Sequence, residues 1–246
     1  MKKLLRILGY ILGFFFLAIF IAWLFLNEKE PTGQLGPEAD RMAELMMASV
    51  DKTAWDSTRW LQWDFPGGHN YLWDKKRNLV RVTWGMNEVL LNTKTVSGKA
   101  YHGGEPAANP DKPIQTAWSY FCNDSYWLNP VVKAFDPGTE RSIVEVDGRE
   151  ALKVQYTSGG VTPGDSYVWI LDKNNRPEAW KMWVKIIPIG GVHNSWEGWQ
   201  KLGTGAWVAS THTFFGKKTE MISNVKAGME MGDLEISEDP FSPILN

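Results

Sequence analysis

The sequence is poor in the residues that most enzymes and metal proteins depend on. It has one cysteine, Cys122, in 246 residues. No internal disulfide can form, so the fold must rest on its core, and no Cys-x-x-Cys metal or redox pair exists. The four histidines, His69, His102, His193 and His212, have neither the i, i+4 spacing of a zinc-protease helix nor cysteine companions. No metal and no cofactor is expected. GxSxG, Walker and GxGxxG loops are missing. Basic charge is scarce as well. Beyond residue 26 there are 23 basic against 28 acidic residues, a formal charge of −5, which is no footprint for nucleic acid.

What is present begins with MKKLLRILGYILGFFFLAIFIAWLFLN. Lys2, Lys3 and Arg6 precede an uncharged apolar run over residues 7–26. Twenty residues make a helix of about 30 Å, the thickness of a bilayer core. The bulky Trp23-Leu24-Phe25-Leu26 exit does not resemble a signal-peptidase site. Residues 1–26 therefore read as a retained signal anchor, the alternative being a signal peptide with an atypical cleavage site. The positive-inside rule then places the following domain on the periplasmic side of a bacterial inner membrane. Gly9 and Gly13 form a GxxxG pair that can bring two spanning helices into a weak dimer.

Residues 27–36 are polar and broken by Pro and Gly, and read as a linker. Residues 37–246 read as one domain. Pro37 opens a helical pattern with Ala39, Met42, Ala43, Met46 and Val50 on one face. From Thr58 the apolar period changes to two, in runs such as TRWLQWDF, HNYLWD and NLVRVTW. Leu61, Trp63 and Phe65 share one strand face, as do Val80, Val82 and Trp84. After residue 138 the strands resume. Asp147-Gly148 is a strong hairpin signal. Leu152, Val154 and Tyr156 alternate with Lys153 and Gln155, which predicts one wet face.

Between the two sets of strands lies a second helical stripe, Ile114, Ala117, Trp118, Phe121 and Cys122. Asn123-Asp124-Ser125 reads as the polar end of that helix, and Trp127 follows it. The resulting expectation is a mainly β fold, a curved antiparallel sheet or incomplete β-barrel covered by helices. Ile114, Ala117, Cys122, Asp124 and Trp127 would form the lid and its hinge.

The stretches DFPGGHNYLWDKKRNLVRV, YFCNDSYWLNPVVKAFDPG, GGVTPGDSYVWILD and WEGWQKLGTGAWVAS together resemble bacterial envelope proteins of the outer-membrane lipoprotein-sorting-like group. The resemblance covers roughly residues 55–225. It implies the fold of the Lol-type carriers, an unclosed antiparallel barrel with helices over a hydrophobic cavity. It also implies binding of lipid, acyl chains or an acylated protein, without catalysis. A spanning anchor departs from those carriers, which are soluble or lipid-anchored.

Thirteen of the 14 tryptophans lie beyond the anchor. They can fill a core or line an apolar ligand cavity. Trp63, Trp84, Trp118, Phe121 and Trp169 are the candidate cavity-lining residues. No catalytic residue is assigned. Cys122 lies on an apolar helical stripe, where cysteine acts as a small hydrophobe. His69 could meet Asp64 and Asp74 across a hairpin, the arrangement a hydrolase reading needs. The first alternative to a lipid binder is a structural or interaction module with a filled aromatic core, and an envelope hydrolase with a His/Asp or Cys122 centre ranks behind it.

Overall fold

The computed structural model describes residues 2–158 and 163–245. The side chains of residues 1–9, 18, 19 and 22 lie outside the description. Helix α1 runs Lys2–Leu26. Among the described residues no helix is long and apolar enough to cross a membrane. The span expected over 7–26 and Gly9 of the GxxxG pair fall partly on side chains outside the description. The described side chains of α1, from Tyr10 to Leu26, are all exposed.

The linker is not a free tether. Trp23 Nε1 donates to the Pro188 carbonyl at 2.7 Å, and Gly190 N–H donates to Asn27 Oδ1 at 2.8 Å. Glu28 pairs with Lys181 at 2.9 Å, and its carbonyl accepts from Trp183 Nε1 at 2.8 Å. Glu30 pairs with Lys153 at 2.6 Å. Lys153 is thereby buried, so the face expected to be wet is covered by the chain's own N-terminal strap.

Strand β1 (Gln34–Leu35) leads into α2 (Pro37–Ser49) and α3 (Lys52–Ser57). Asp51 caps α3 by accepting from Ala54 N–H at 2.9 Å. A meander follows: β2 (Trp60–Phe65), β3 (His69–Asp74), β4 (Leu79–Trp84), β5 (Asn87–Asn92), β6 (Ser97–His102) and β7 (Glu105–Pro106). Helix α4 (Asp111–Leu128) separates it from β8 (Thr139–Val146), β9 (Arg149–Tyr156), β10 (Ser166–Leu171), β11 (Pro177–Trp183), β12 (Val192–Ser195), β13 (Glu197–Lys201), β14 (Trp207–Phe214), β15 (Lys217–Glu220) and β16 (Ser223–Gly228).

The strands form two antiparallel sheets, neither closed into a barrel, where one curved sheet was the expectation. Sheet B has seven strands in the order β16-β2-β3-β4-β5-β6-β7. Sheet A has nine, in the order β1-β8-β9-β10-β11-β12-β14-β13 with β15 on β14. The last strand does not extend sheet A. It returns to β2, with Ala227 opposite Leu61. The Asp147-Gly148 turn joins β8 to β9 with both residues at positive φ, 52° and 75°, as a two-residue hairpin of that sequence favours.

The inner faces of the two sheets share one core. Leu61, Trp63, Tyr71, Val80 and Val82 come from sheet B, and Leu152, Val154, Trp169, Trp180 and Val208 from sheet A. Ala43 and Met46 of α2 and Ala117 and Phe121 of α4 complete it. The outer face of sheet B carries a smaller cluster, in which Trp60, Leu72, Leu79 and Leu90 are covered by Leu234 and Phe241 of the C-terminal segment. Arg77 fixes that segment by pairing with Asp239 at 2.5 Å and Asp74 at 2.6 Å.

Helix α4 is longer than its sequence predicts. It runs through Asn123-Asp124-Ser125 to Leu128. Tertiary partners satisfy Asp124, and the next turn gains a second aromatic contact, so the local stop signal is overridden.

Candidate functional site

Helix α4 faces both sheets, because its aromatic residues change side along its length. Its middle turns meet sheet B. Phe121 packs edge-on to Trp73 at 5.1 Å and lies 6.5 Å from Trp63, which stacks on Tyr71 at 4.4 Å. Trp118 lies 6.3 Å from Phe121, and Tyr120 lies 5.5 Å from Trp84. The last turn meets sheet A. Tyr126 contacts Tyr167 at 5.1 Å, and Trp127 contacts Trp180 at 5.3 Å and His212 at 5.1 Å. Behind them Trp169, Trp180 and Trp196 form a triangle with centroids 4.8 to 5.4 Å apart.

This apolar interior contains unpaired polar atoms. The indole N–H groups of Trp63, Trp73, Trp180 and Trp196, with Asn129 Oδ1 and His212 Nε2, are buried and have no hydrogen-bond partner among the described residues. Trp60 on the outer face of sheet B is another such donor. His212 Nδ1 lies 2.8 Å from the Ser195 carbonyl. The carbonyl can only accept, so the proton sits on Nδ1 and Nε2 is an acceptor. Burial pushes the His212 imidazole down to about 4, which keeps the ring neutral near pH 7.

Between the two aromatic groups, α4 is clasped to sheet B. Asp124, 1% exposed, takes a 2.8 Å contact from His69 Nδ1, a short hydrogen bond from the Tyr71 hydroxyl, and a 2.8 Å bond from Asn123 Nδ2. His69 is held flat on Tyr120, with ring centroids 3.9 Å apart. Burial, then the charge of Asp124, pushes the Tyr71 phenol far above its ordinary value. A His–Asp pair is the geometry of an oriented general base. However, no hydroxyl or thiol of the described residues hydrogen-bonds to His69. Burial raises the Cys122 thiol to about 11, which suppresses its thiolate.

The structure brings Trp63, Trp118 and Phe121 together, with Trp84 reached through Tyr120. Trp169 lies in the other aromatic group, against sheet A. Trp63 and Trp169 are buried at 0% and 2% exposure, so in this conformation their rings fill the interior. Ile114, Ala117 and Asp124 are buried, and Cys122 and Trp127 half-buried, along α4. Asp64 and Asp74 do not meet His69. Asp64 bonds Asn70 and Asn224, and Asp74 is taken by Arg59 and Arg77. The residue that pairs with His69 comes from 55 positions downstream, and nothing local signals it. Trp180 also escapes the sequence reading, although it shares a strand face with Met182.

Two surface concavities are described, of about 360 and 520 Å³. The smaller is lined by α2 and α3, including Met47 and Lys52. The larger lies between the end of α1 and the β14–β15 turn, where Leu26, Glu28 and Phe215 line it. None of the five candidate lining residues borders either one. Among the described residues no cluster of three His, Cys, Asp or Glu side chains could hold a metal ion.

No family model and no curated protein matches the sequence. One similar solved structure is a domain assigned to outer membrane lipoprotein sorting, from Vibrio parahaemolyticus. It is 11% identical with a TM-score of 0.33, over 78% of this chain and 96% of that one. At that identity and score it carries no argument about fold or ligand.

Proposed function

We propose that the chain is an envelope protein that takes a lipid or acyl chain, free or attached to a protein, between its two sheets. α1 holds it at the bacterial inner membrane with the domain on the periplasmic side. The supporting observation is the interior itself. A wall of aromatic rings carries the unpaired N–H groups of Trp63, Trp73, Trp180 and Trp196 and the acceptor Nε2 of His212. Each unpaired group costs about 1–3 kcal/mol. An apolar wall with a few unpaired polar groups suits a chain that ends in a carbonyl or hydroxyl. The interior is closed by ring packing in this conformation, so entry requires α4 to shift away from one sheet, with the Asp124 clasp released or used as a hinge. The reading includes no catalytic step.

A photoactivatable fatty acid added to the full chain in native membranes tests this. Adducts on α4 and on inner-face strand peptides are expected. Adducts confined to α1 would refute it. The filled packing around Trp63 and Trp169 favours a second reading, an interaction module whose aromatics are all core, and that outcome would leave it standing.

A further inference from the structure

Two exposed apolar features sit at the end of α1. The first is the β14–β15 turn. Its two central residues are Phe215 and Gly216, at φ 46° and 74°, with Phe214 paired to Lys217. Both positions of such a turn need positive φ, for which Asn and Gly are suited and a bulky aromatic is not. Phe215 nevertheless occupies one of them. It is 63% exposed, with its ring 4.4 Å from Phe214. A residue that opposes its local backbone and leaves most of its ring in solvent points to a role outside the fold. The second feature is the loop between β11 and β12, where Ile186 is 74% exposed. That loop is tied to the last turn of α1 by the Trp23–Pro188 hydrogen bond, and Phe215 and Leu26 line one concavity. Lys185 and Lys217 flank the two features and are exposed.

We infer that these two tips form a seat on the bilayer in which α1 lies. Phe214, Phe215 and Ile186 enter the boundary between headgroups and acyl chains, and Lys185 and Lys217 face anionic headgroup phosphates. This rests on the tether reading. The strap along sheet A holds the end of α1 against the domain, so the tips take a fixed place relative to the anchor. Exposed aromatic and aliphatic tips flanked by lysine fit an interfacial surface, where the rings bury and the amines stay wet.

The test uses the full chain with Cys122→Ser, reconstituted in vesicles of phosphatidylcholine and phosphatidylglycerol. One environment-sensitive dye is attached at Phe215→Cys, at Ile186→Cys, or at Phe15→Cys within α1. Both tip positions are exposed, so neither substitution should disturb folding. The expected result is a blue shift at Phe215 and Ile186, with quenching by spin-labelled lipid and protection from aqueous iodide. The shift should shrink with Lys217→Glu. If the dye at Phe15 is in lipid while those at Phe215 and Ile186 are open to iodide, the seat is refuted and the tether stands. If the dye at Phe15 is itself open to iodide, the tether fails and the seat fails with it.

Discussion

His212 provides a way to measure how dry the interior is. The ring is 2% exposed, packed against Trp196 at 4.4 Å and Trp127 at 5.1 Å, with Nε2 unpaired. Its folded-state pKa is pushed down to about 4 by burial, while in the unfolded chain it returns to about 6.5. The unfolded state therefore binds the proton first. The stability associated with the neutral ring is fully present above about pH 6.5 and is lost as the pH falls toward about 4. Linkage over that shift gives a loss of about 2.5 kcal/mol between pH 7.5 and 4.5.

The assay is urea unfolding of the full chain in detergent, followed by tryptophan fluorescence across that pH range. Carboxylates with depressed pKa values also destabilise the fold in acid. Those of Asp74, Asp239 and Glu30 are lowered by their Arg or Lys partners. Their contribution is lost only as pH falls below about 4, the range of an ordinary carboxyl. The comparison that isolates the imidazole is His212→Asn. Its amide can keep the donation to the Ser195 carbonyl and cannot titrate. The variant should be less stable at pH 7.5 by about 1–3 kcal/mol, through lost packing. Its deficit should shrink or reverse by pH 4.5. Parallel pH profiles for the two proteins would refute the buried neutral ring and the dry interior around it.

Asp124→Ala removes the acceptor for His69 and leaves the buried Tyr71 hydroxyl without its partner. It should cost about 2–4 kcal/mol by urea midpoint, with Asp124→Asn falling between it and wild type. Cys122, with its thiol raised from 9.0 to about 11, should alkylate about a hundredfold more slowly near pH 8 in the folded chain than in urea. Comparable rates would show that burial does not suppress the Cys122 thiolate in the folded chain. Gly98→Ala places a Cβ 1.8 Å from the Leu90 carbonyl oxygen across the β5–β6 ladder. It should destabilise by about 3 kcal/mol, read as a drop in melting temperature, and an unchanged melt would contradict the strand pairing.

Features that depend on neighbours in sequence were legible, and those that depend on distant neighbours were not. The period-two runs at residues 60–65 and 79–84 placed Leu61, Trp63, Val80 and Val82 on the buried face, because alternation is a property of the strand alone. The Asp147-Gly148 turn and the start of α2 at Pro37 are equally local. The addition of β16 to the edge of sheet B, rather than to sheet A, depends on its finding β2 about 160 residues away, where Asn224 bonds Asp64. Lys153 reads as solvent-facing until Glu30, 123 positions earlier, folds back over it. The same physics governs Asn123-Asp124-Ser125. Read locally, the triplet competes with the helix and should end it. In the fold, Asp124 has exchanged its backbone options for His69 and Tyr71, and the turn it would have broken carries Tyr126 and Trp127 across to sheet A. A polar triplet on an aromatic helix therefore marks where the helix is held. Under the proposed function, the same clasp is where α4 is released or hinges as a ligand enters.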